Sequence, residues 1–138
     1  MENVEISFSA QSSDFSFTKY TRNLSVLSCP ITLNMSGYNN CSTFSQIFNI
    51  QIYYSAINLI LGSQNNSGIA PEVQNAHILN TTVNATLDGQ QACYGLFGDV
   101  LSSLLIENSS LNIQVTSNGT ASAIVGCLNN SGLVIINS

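Results

Sequence analysis

Nine asparagines carry the most visible chemistry of this 138-residue chain. Asn23, Asn34, Asn40, Asn65, Asn80, Asn84, Asn108, Asn118 and Asn129 each precede x-Ser or x-Thr with no intervening proline, the acceptor pattern for N-linked glycan. In a secreted eukaryotic protein several of them would be modified. Triplets of this kind also arise wherever Asn, Ser and Thr abound. The four cysteines, Cys29, Cys41, Cys93 and Cys127, are compatible with disulfides. Cys29 and Cys41 lie in one repeat unit, on either side of a strand and its turn, and form the candidate pair. Cys93 and Cys127 are 34 residues apart where the local repeat is 28. That leaves them roughly 20 Å out of column along a strand, whereas a bridge needs Cα atoms within about 7 Å. No Cys-x-x-Cys occurs and no cysteine clusters with histidine, so neither a zinc site nor any other cofactor is expected.

Hydrolytic chemistry has little to build on. His77 is the single histidine; it shares a column with Ser25 and Gln51, beside inward-facing Ile78, and reads as an outward polar residue. The acidic set is Glu2, Glu5, Asp14, Glu72, Asp88, Asp99 and Glu107. A carbohydrate-active enzyme needs two carboxylates converging on one face. Asp88 and Asp99 are the pair placed to approach each other across the strand at Gly95, with Glu107 at the next corner and no Arg or Lys beside them. Tyr53 and Tyr54 are adjacent, and adjacent strand residues point to opposite faces. One of the two therefore faces outward, where it packs or stacks on a sugar.

Charged residues make up 7% of the chain and apolar residues 44%, against a usual quarter for charge. Low charge with ordinary hydrophobicity argues against disorder. The net charge is −5 and the permanent cations are Lys19 and Arg22, which are too few for the basic footprint of a nucleic-acid binder or for attraction to an anionic membrane. The stretch from Ile47 to Leu61 is broken by Asn49, Gln51, Ser55 and Asn58 at strand spacing, so membrane insertion by this segment is not expected.

The elements that must position these groups follow from a repeat. An asparagine returns every 26 to 33 residues, at Asn23, Asn49, Asn75, Asn108 and Asn137. The units are 23–48, 49–74, 75–107 and 108–136, with a further unit starting at 137 and a divergent partial coil over 1–22. In that partial coil Val4, Ile6 and Phe8 alternate as Ile31, Leu33 and Met35 do. Apolar columns recur: Val26, Ile52, Ile78 and Leu111; then Ile31, Ile57 and Val83, continued by Ile113 or Val115; then Leu33, Leu59 and Ala85; then Met35, Leu61 and Leu87. A last column holds Thr43-Phe44, Ile69-Ala70, Leu96-Phe97 and Ile124-Val125, preceded by Ser42, Gly68, Gly95 and Ala123. Apolar and polar residues alternate within each unit, as in a half-buried strand. A fixed period of short strands marks a solenoid. The expected fold is an all-β, right-handed parallel β-helix of four to five coils, the hand following the usual preference of crossovers.

The longer third unit places extra residues near 99–103, in a loop between strand columns. Val134-Ile135-Ile136 enters a coil with no polar cap, which implies either more chain or end-to-end stacking through uncapped coils. The first residues are acidic and lack the apolar core of a signal peptide.

Tyr94-Gly95-Leu96-Phe97-Gly98 and Ser122-Ala123-Ile124-Val125-Gly126, each followed by an apolar strand ending in Asn-Ser, resemble the GLUG motifs of large bacterial and protist surface proteins. Asn-rich, Cys-containing versions are similar to surface proteins of parasitic flagellates such as diplomonads. The likeness covers residues 70–138 at the motif level; Ser42 and Gly68 replace the Gly-Leu opening, and Pro71 replaces the closing Gly. The resemblance implies an extracellular, adhesin-like β-helix with no catalytic residues to transfer. The reading is therefore a non-enzymatic structural or adhesion segment of a secreted or cell-surface β-helix protein, with glycans or surface proteins as partners. A complete chain without a leader would instead be cytoplasmic. The alternatives are a polysaccharide lyase or hydrolase using Asp88 and Asp99, and a functionless fragment of a larger surface protein.

Overall fold

Strand follows strand through the chain because apolar and polar residues alternate, and the strands wind into a parallel β-solenoid of about four coils. The structure, a computed structural model, describes residues 6–16, 19–129 and 132–138. The described residues form twelve strands: β1 (Ile6–Phe15), β2 (Tyr20–Leu27), β3 (Pro30–Ser42), β4 (Gln46–Tyr53), β5 (Ala56–Ser67), β6 (Ala70–Leu79), β7 (Thr82–Tyr94), β8 (Phe97–Glu107), β9 (Ser110–Ser117), β10 (Thr120–Ser122), β11 (Val125–Leu128) and β12 (Gly132–Ile136). Odd-numbered strands up to β9, with β10, build one parallel sheet, and β2, β4, β6, β8, β11 and β12 build the other. Each coil is one strand from each sheet, so equivalent residues stack at the inter-strand spacing of about 4.8 Å. No helix among the described residues is long and apolar enough to cross a membrane.

The core is a set of stacked rows. Ile31, Ile57 and Val83 lie in register, as do Leu33, Leu59 and Ala85, and Met35, Leu61 and Leu87; all nine are buried. Burying each large aliphatic side chain is worth roughly 1.5–3 kcal/mol, and the solenoid repeats that gain in every coil.

From the fourth coil onward the register differs from the sequence expectation. The row of Val26, Ile52 and Ile78 continues into Ile106, not Leu111. Leu111 instead continues the Ile31–Ile57–Val83 row, followed by Ile113 on Ala85 and Val115 on Leu87. Asn75 stacks on Ser103, so the unit expected to begin at Asn108 begins five residues earlier. The single insertion expected near 99–103 is two one-residue irregularities. One falls between Gly89 and Ala92, and the other between Val100 and Ser103. The first coil is also shifted: Ile6 pairs with Ile31 and Phe8 with Leu33, and Val4 lies outside the described residues. At the turn after β3, Ser42 pairs with Ser67 rather than Gly68.

Two corners join the sheets. At one, Ser28, Tyr54, Asn80, Asn108 and Asn137 take left-handed conformations with φ between 47° and 52°, a region where Asn is several-fold enriched. The residues that follow form a hydroxyl ladder. The Cys29 N–H donates to Ser55 Oγ at 3.2 Å, Ser55 N–H to Thr81 Oγ1 at 3.4 Å, Thr81 N–H to Ser109 Oγ at 3.1 Å and Ser109 N–H to Ser138 Oγ at 3.2 Å. Each hydroxyl in turn donates to the carbonyl two residues earlier, as Thr81 does to Leu79 at 3.0 Å. Thr81→Val keeps the shape but strands the buried Ser55 N–H; it is expected to cost about 1–3 kcal/mol in urea denaturation.

The Cys29–Cys41 disulfide does not form: no cysteine is disulfide-bonded. Cys29 lies just before β3 and Cys41 near its far end, so an extended strand on the order of 30–40 Å long separates them, beyond the reach of a bridge. Cys93 and Cys127 are likewise unbridged.

Candidate functional site

The second corner is built differently, from small residues, and its outer side is a groove of about 830 Å³. One wall carries Ser42, Ser67 and Tyr94, which stack in register at the ends of β3, β5 and β7. Two residues upstream, Asn40, Asn65 and Ala92 stack in the same way. The facing wall carries Ser45, Pro71 and Gly98, at or near the starts of β4, β6 and β8, with Ser16 and Lys19 at the first coil and Asp99 at the fourth. Three coil steps of about 4.8 Å make the groove roughly 14 Å long. Its lining interleaves amides and hydroxyls with the apolar surfaces of Cys41, Pro71, Ala92 and Tyr94, and carries one cation and one carboxylate at opposite ends.

Glycine is what lets the corner close. A Cβ on Gly98 would lie 2.4 Å from the Pro71 carbonyl oxygen, and one on Gly126 would lie 2.5 Å from the Tyr94 ring. Tyr94 is thereby seated against the backbone of the next coil, half-buried, at the fourth-coil end of the groove. Beneath the wall, Asn66 spans the buried layer: Ser63 Oγ donates to its Oδ1 at 2.7 Å, and its Nδ2 donates to the Asp88 carbonyl at 2.8 Å and to Cys93 Sγ at 3.4 Å. Burial pushes the Cys93 thiol above its ordinary value of 9.0, with Asp88 adding to the rise and Asn66 opposing it. A buried thiol held protonated is a poor nucleophile.

The carboxylates are not arranged as the sequence suggests. Asp99 lines the groove, while Asp88 stands exposed on the other sheet, in register with Gly62 and Thr116. The direct cross-strand neighbour of Asp99 is Glu72. Glu107 belongs to a different feature. On the outer face of the second sheet Tyr53 Oη lies 2.9 Å from His77 Nδ1, and His77 Nε2 lies 2.8 Å from Glu107 Oε2. The Tyr53 and His77 rings meet edge-on at 5.0 Å. A neutral imidazole satisfies both contacts by accepting from the phenol and donating to the carboxylate. His77 is outward, as its column indicates, and it ties three coils together. Sequence spacing missed this because the contacts are diagonal, two residues off register. Tyr53 and Tyr54 both face outward, contrary to strict alternation, because the left-handed corner at Tyr54 breaks the strand there.

Of the nine sequon asparagines, Asn65 is half-buried and the other eight are exposed. Asn23 Oδ1 accepts from Asn49 Nδ2 at 2.8 Å, Asn49 Oδ1 accepts from Asn75 Nδ2 at 2.9 Å, and Asn75 Oδ1 accepts from Ser103 Oγ at 3.0 Å. Asn84 donates to Asn58 at 3.0 Å in a second ladder on the other sheet. Asn80 and Asn108 hold the left-handed corner, and Asn40 and Asn65 line the groove. Among the described residues no group of three or more His, Cys, Asp and Glu side chains is placed to hold a metal. No family model, curated protein or solved structure matches the chain.

Proposed function

We propose that the chain is a non-catalytic solenoid segment of a secreted or cell-surface protein, a rigid rod whose polar faces contact glycans or surface proteins. The observation that carries this reading is the outer surface. Amides and hydroxyls stack there in ladders, and eight of nine sequon asparagines are exposed on it. Such a surface offers many neutral hydrogen-bonding groups and glycan acceptors at a fixed spacing. The GLUG-like corners, at which Gly95 and Gly98 permit close coil contact, agree with an adhesin-like β-helix.

The test is expression behind a secretion leader in a eukaryotic host. The expected product is exported and loses mass when N-glycans are removed enzymatically. A chain that is exported yet bare at all nine asparagines would overturn the glycoprotein part of the reading. A hydrolytic alternative is favoured by one observation, the Glu72–Asp99 cross-strand pair, of which Asp99 lines the groove. Turnover of a polysaccharide panel that disappears in Asp99→Asn would establish it, and the Asp88→Asn variant is then expected to remain active.

A further inference from the structure

Eight polar side chains are buried in the described structure: Ser42, Thr43, Ser55, Ser63, Asn66, Ser67, Thr81 and Ser109. Six of them have their hydrogen bonds within the protein, such as Thr43 Oγ1 donating to the Gly68 carbonyl at 2.6 Å and Ser55 Oγ to the Tyr53 carbonyl at 2.9 Å. Among the described residues, the side-chain hydroxyls of the other two, Ser42 and Ser67, meet no protein partner. They are 7% and 6% exposed, stack directly on one another, and both line the corner groove. A buried hydroxyl without a partner costs free energy, and native structures leave few such groups. Two in one column point to a ligand that supplies the missing bonds.

We infer that the groove binds one neutral, polyhydroxylated glycan strand laid along the solenoid axis, with Ser42, Ser67 and Asn65 as its hydrogen-bonding floor and Tyr94 as its stacking end. The chemistry of the lining selects this class. Lys19 and Asp99 are its charged members, one at each end, so a polyanion finds no row of cations. A peptide cannot add as a strand here, because β3, β5 and β7 are already paired on both sides through the groove region. A sugar chain offers hydroxyl donors and acceptors at each unit, and the coil spacing of about 4.8 Å is close to the advance of one pyranose. Tyr94, fixed against Gly126, presents an aromatic surface to the apolar face of a sugar ring. Two sources could supply such a strand: a glycan from outside, or the chain's own N-glycan on Asn40 or Asn65. The inference rests on the reading of the chain as a binding segment.

The test uses the full chain made without glycans, titrated by NMR with cellotetraose, chitotetraose, maltotetraose and mannotetraose, and with tetragalacturonate as the charged control. At least one neutral tetramer is expected to bind saturably and to shift the amides of 40–45, 65–71 and 92–99. Ser67→Ala should weaken that binding about tenfold, the scale of one hydrogen bond in a buried site, and Tyr94→Ala by a similar factor. Because Ser67→Ala removes an unsatisfied hydroxyl, the free variant should unfold at the same urea concentration as the parent, or a higher one. Absence of binding by all four neutral tetramers overturns the inference, as does tighter binding of tetragalacturonate, or affinity indifferent to both variants. A Ser67→Ala variant as unstable as Thr81→Val would show a structural hydroxyl and would also overturn it. Turnover of a bound tetramer would instead sink the non-catalytic reading and leave the groove assignment standing. The chain made in a glycosylating host separates the sources: a groove filled by its own glycan binds free tetramer only when bare.

Discussion

Ile52→Asp is expected to leave the chain unfolded in buffer at 25 °C, as read by the loss of its β-sheet circular dichroism, while His77→Ala stays folded. Ile52 has no exposed surface and sits between Val26 and Ile78 in a row that runs through successive coils. A carboxylate there loses the aliphatic burial of roughly 1.5–3 kcal/mol, and in addition it must be buried charged or be protonated at a further cost. Small domains have only about 5–15 kcal/mol in total. In a solenoid the damage does not stay local, because each coil buries its face only against its neighbours. His77 lies one residue away on the opposite face of the same kind of strand. Its loss removes two partly exposed hydrogen bonds, to Tyr53 and Glu107, for a cost of about 1 kcal/mol. Small and equal effects of the two changes would refute the stacked-row core.

Gly95→Ala should be the second most damaging change, although it adds a single methyl group. That methyl would stand 1.9 Å from the Ala123 carbonyl oxygen and 2.6 Å from Ile113 Cγ2. The obstacle is backbone of the next coil, which cannot rotate away. The corner is also pinned, since Gly95 N–H donates to the Ser122 carbonyl at 2.8 Å and Leu96 N–H to the Ile124 carbonyl at 3.2 Å. Relief requires prising this coil and the one stacked on it apart at that point, for about 3 kcal/mol or more. Gly62→Ala is the matched control: nothing lies within 4 Å of its added Cβ and its φ is negative. Restricting the unfolded chain there should raise stability by about 0.5 kcal/mol. The urea midpoints of the two variants should therefore move in opposite directions.

The solenoid, its parallel columns and most of its core follow from the sequence alone, because a stacked coil repeats the same inward row and the apolar alternation records it. Ile31, Ile57 and Val83 could be aligned by counting residues. The count failed at the fourth coil for a physical reason: asparagine does two different jobs here. Asn23, Asn49 and Asn75 form a side-chain ladder on a sheet face, whereas Asn80, Asn108 and Asn137 take up a left-handed corner. Counting treats them as one kind and so paired Asn75 with Asn108, which moved Leu111 into the wrong row. Only the hydrogen-bonded register separates the two roles. The groove is also a product of tertiary structure alone. Ser42 and Ser67 are ordinary serines in the chain, and Tyr94 shares no residue type with them. The bend between the sheets makes them one wall, buries two hydroxyls that meet no partner among the described residues and sets Asp99 beside Glu72 instead of Asp88. Periodicity determines which side of a strand faces the core, but the path of the corner decides which outward residues meet.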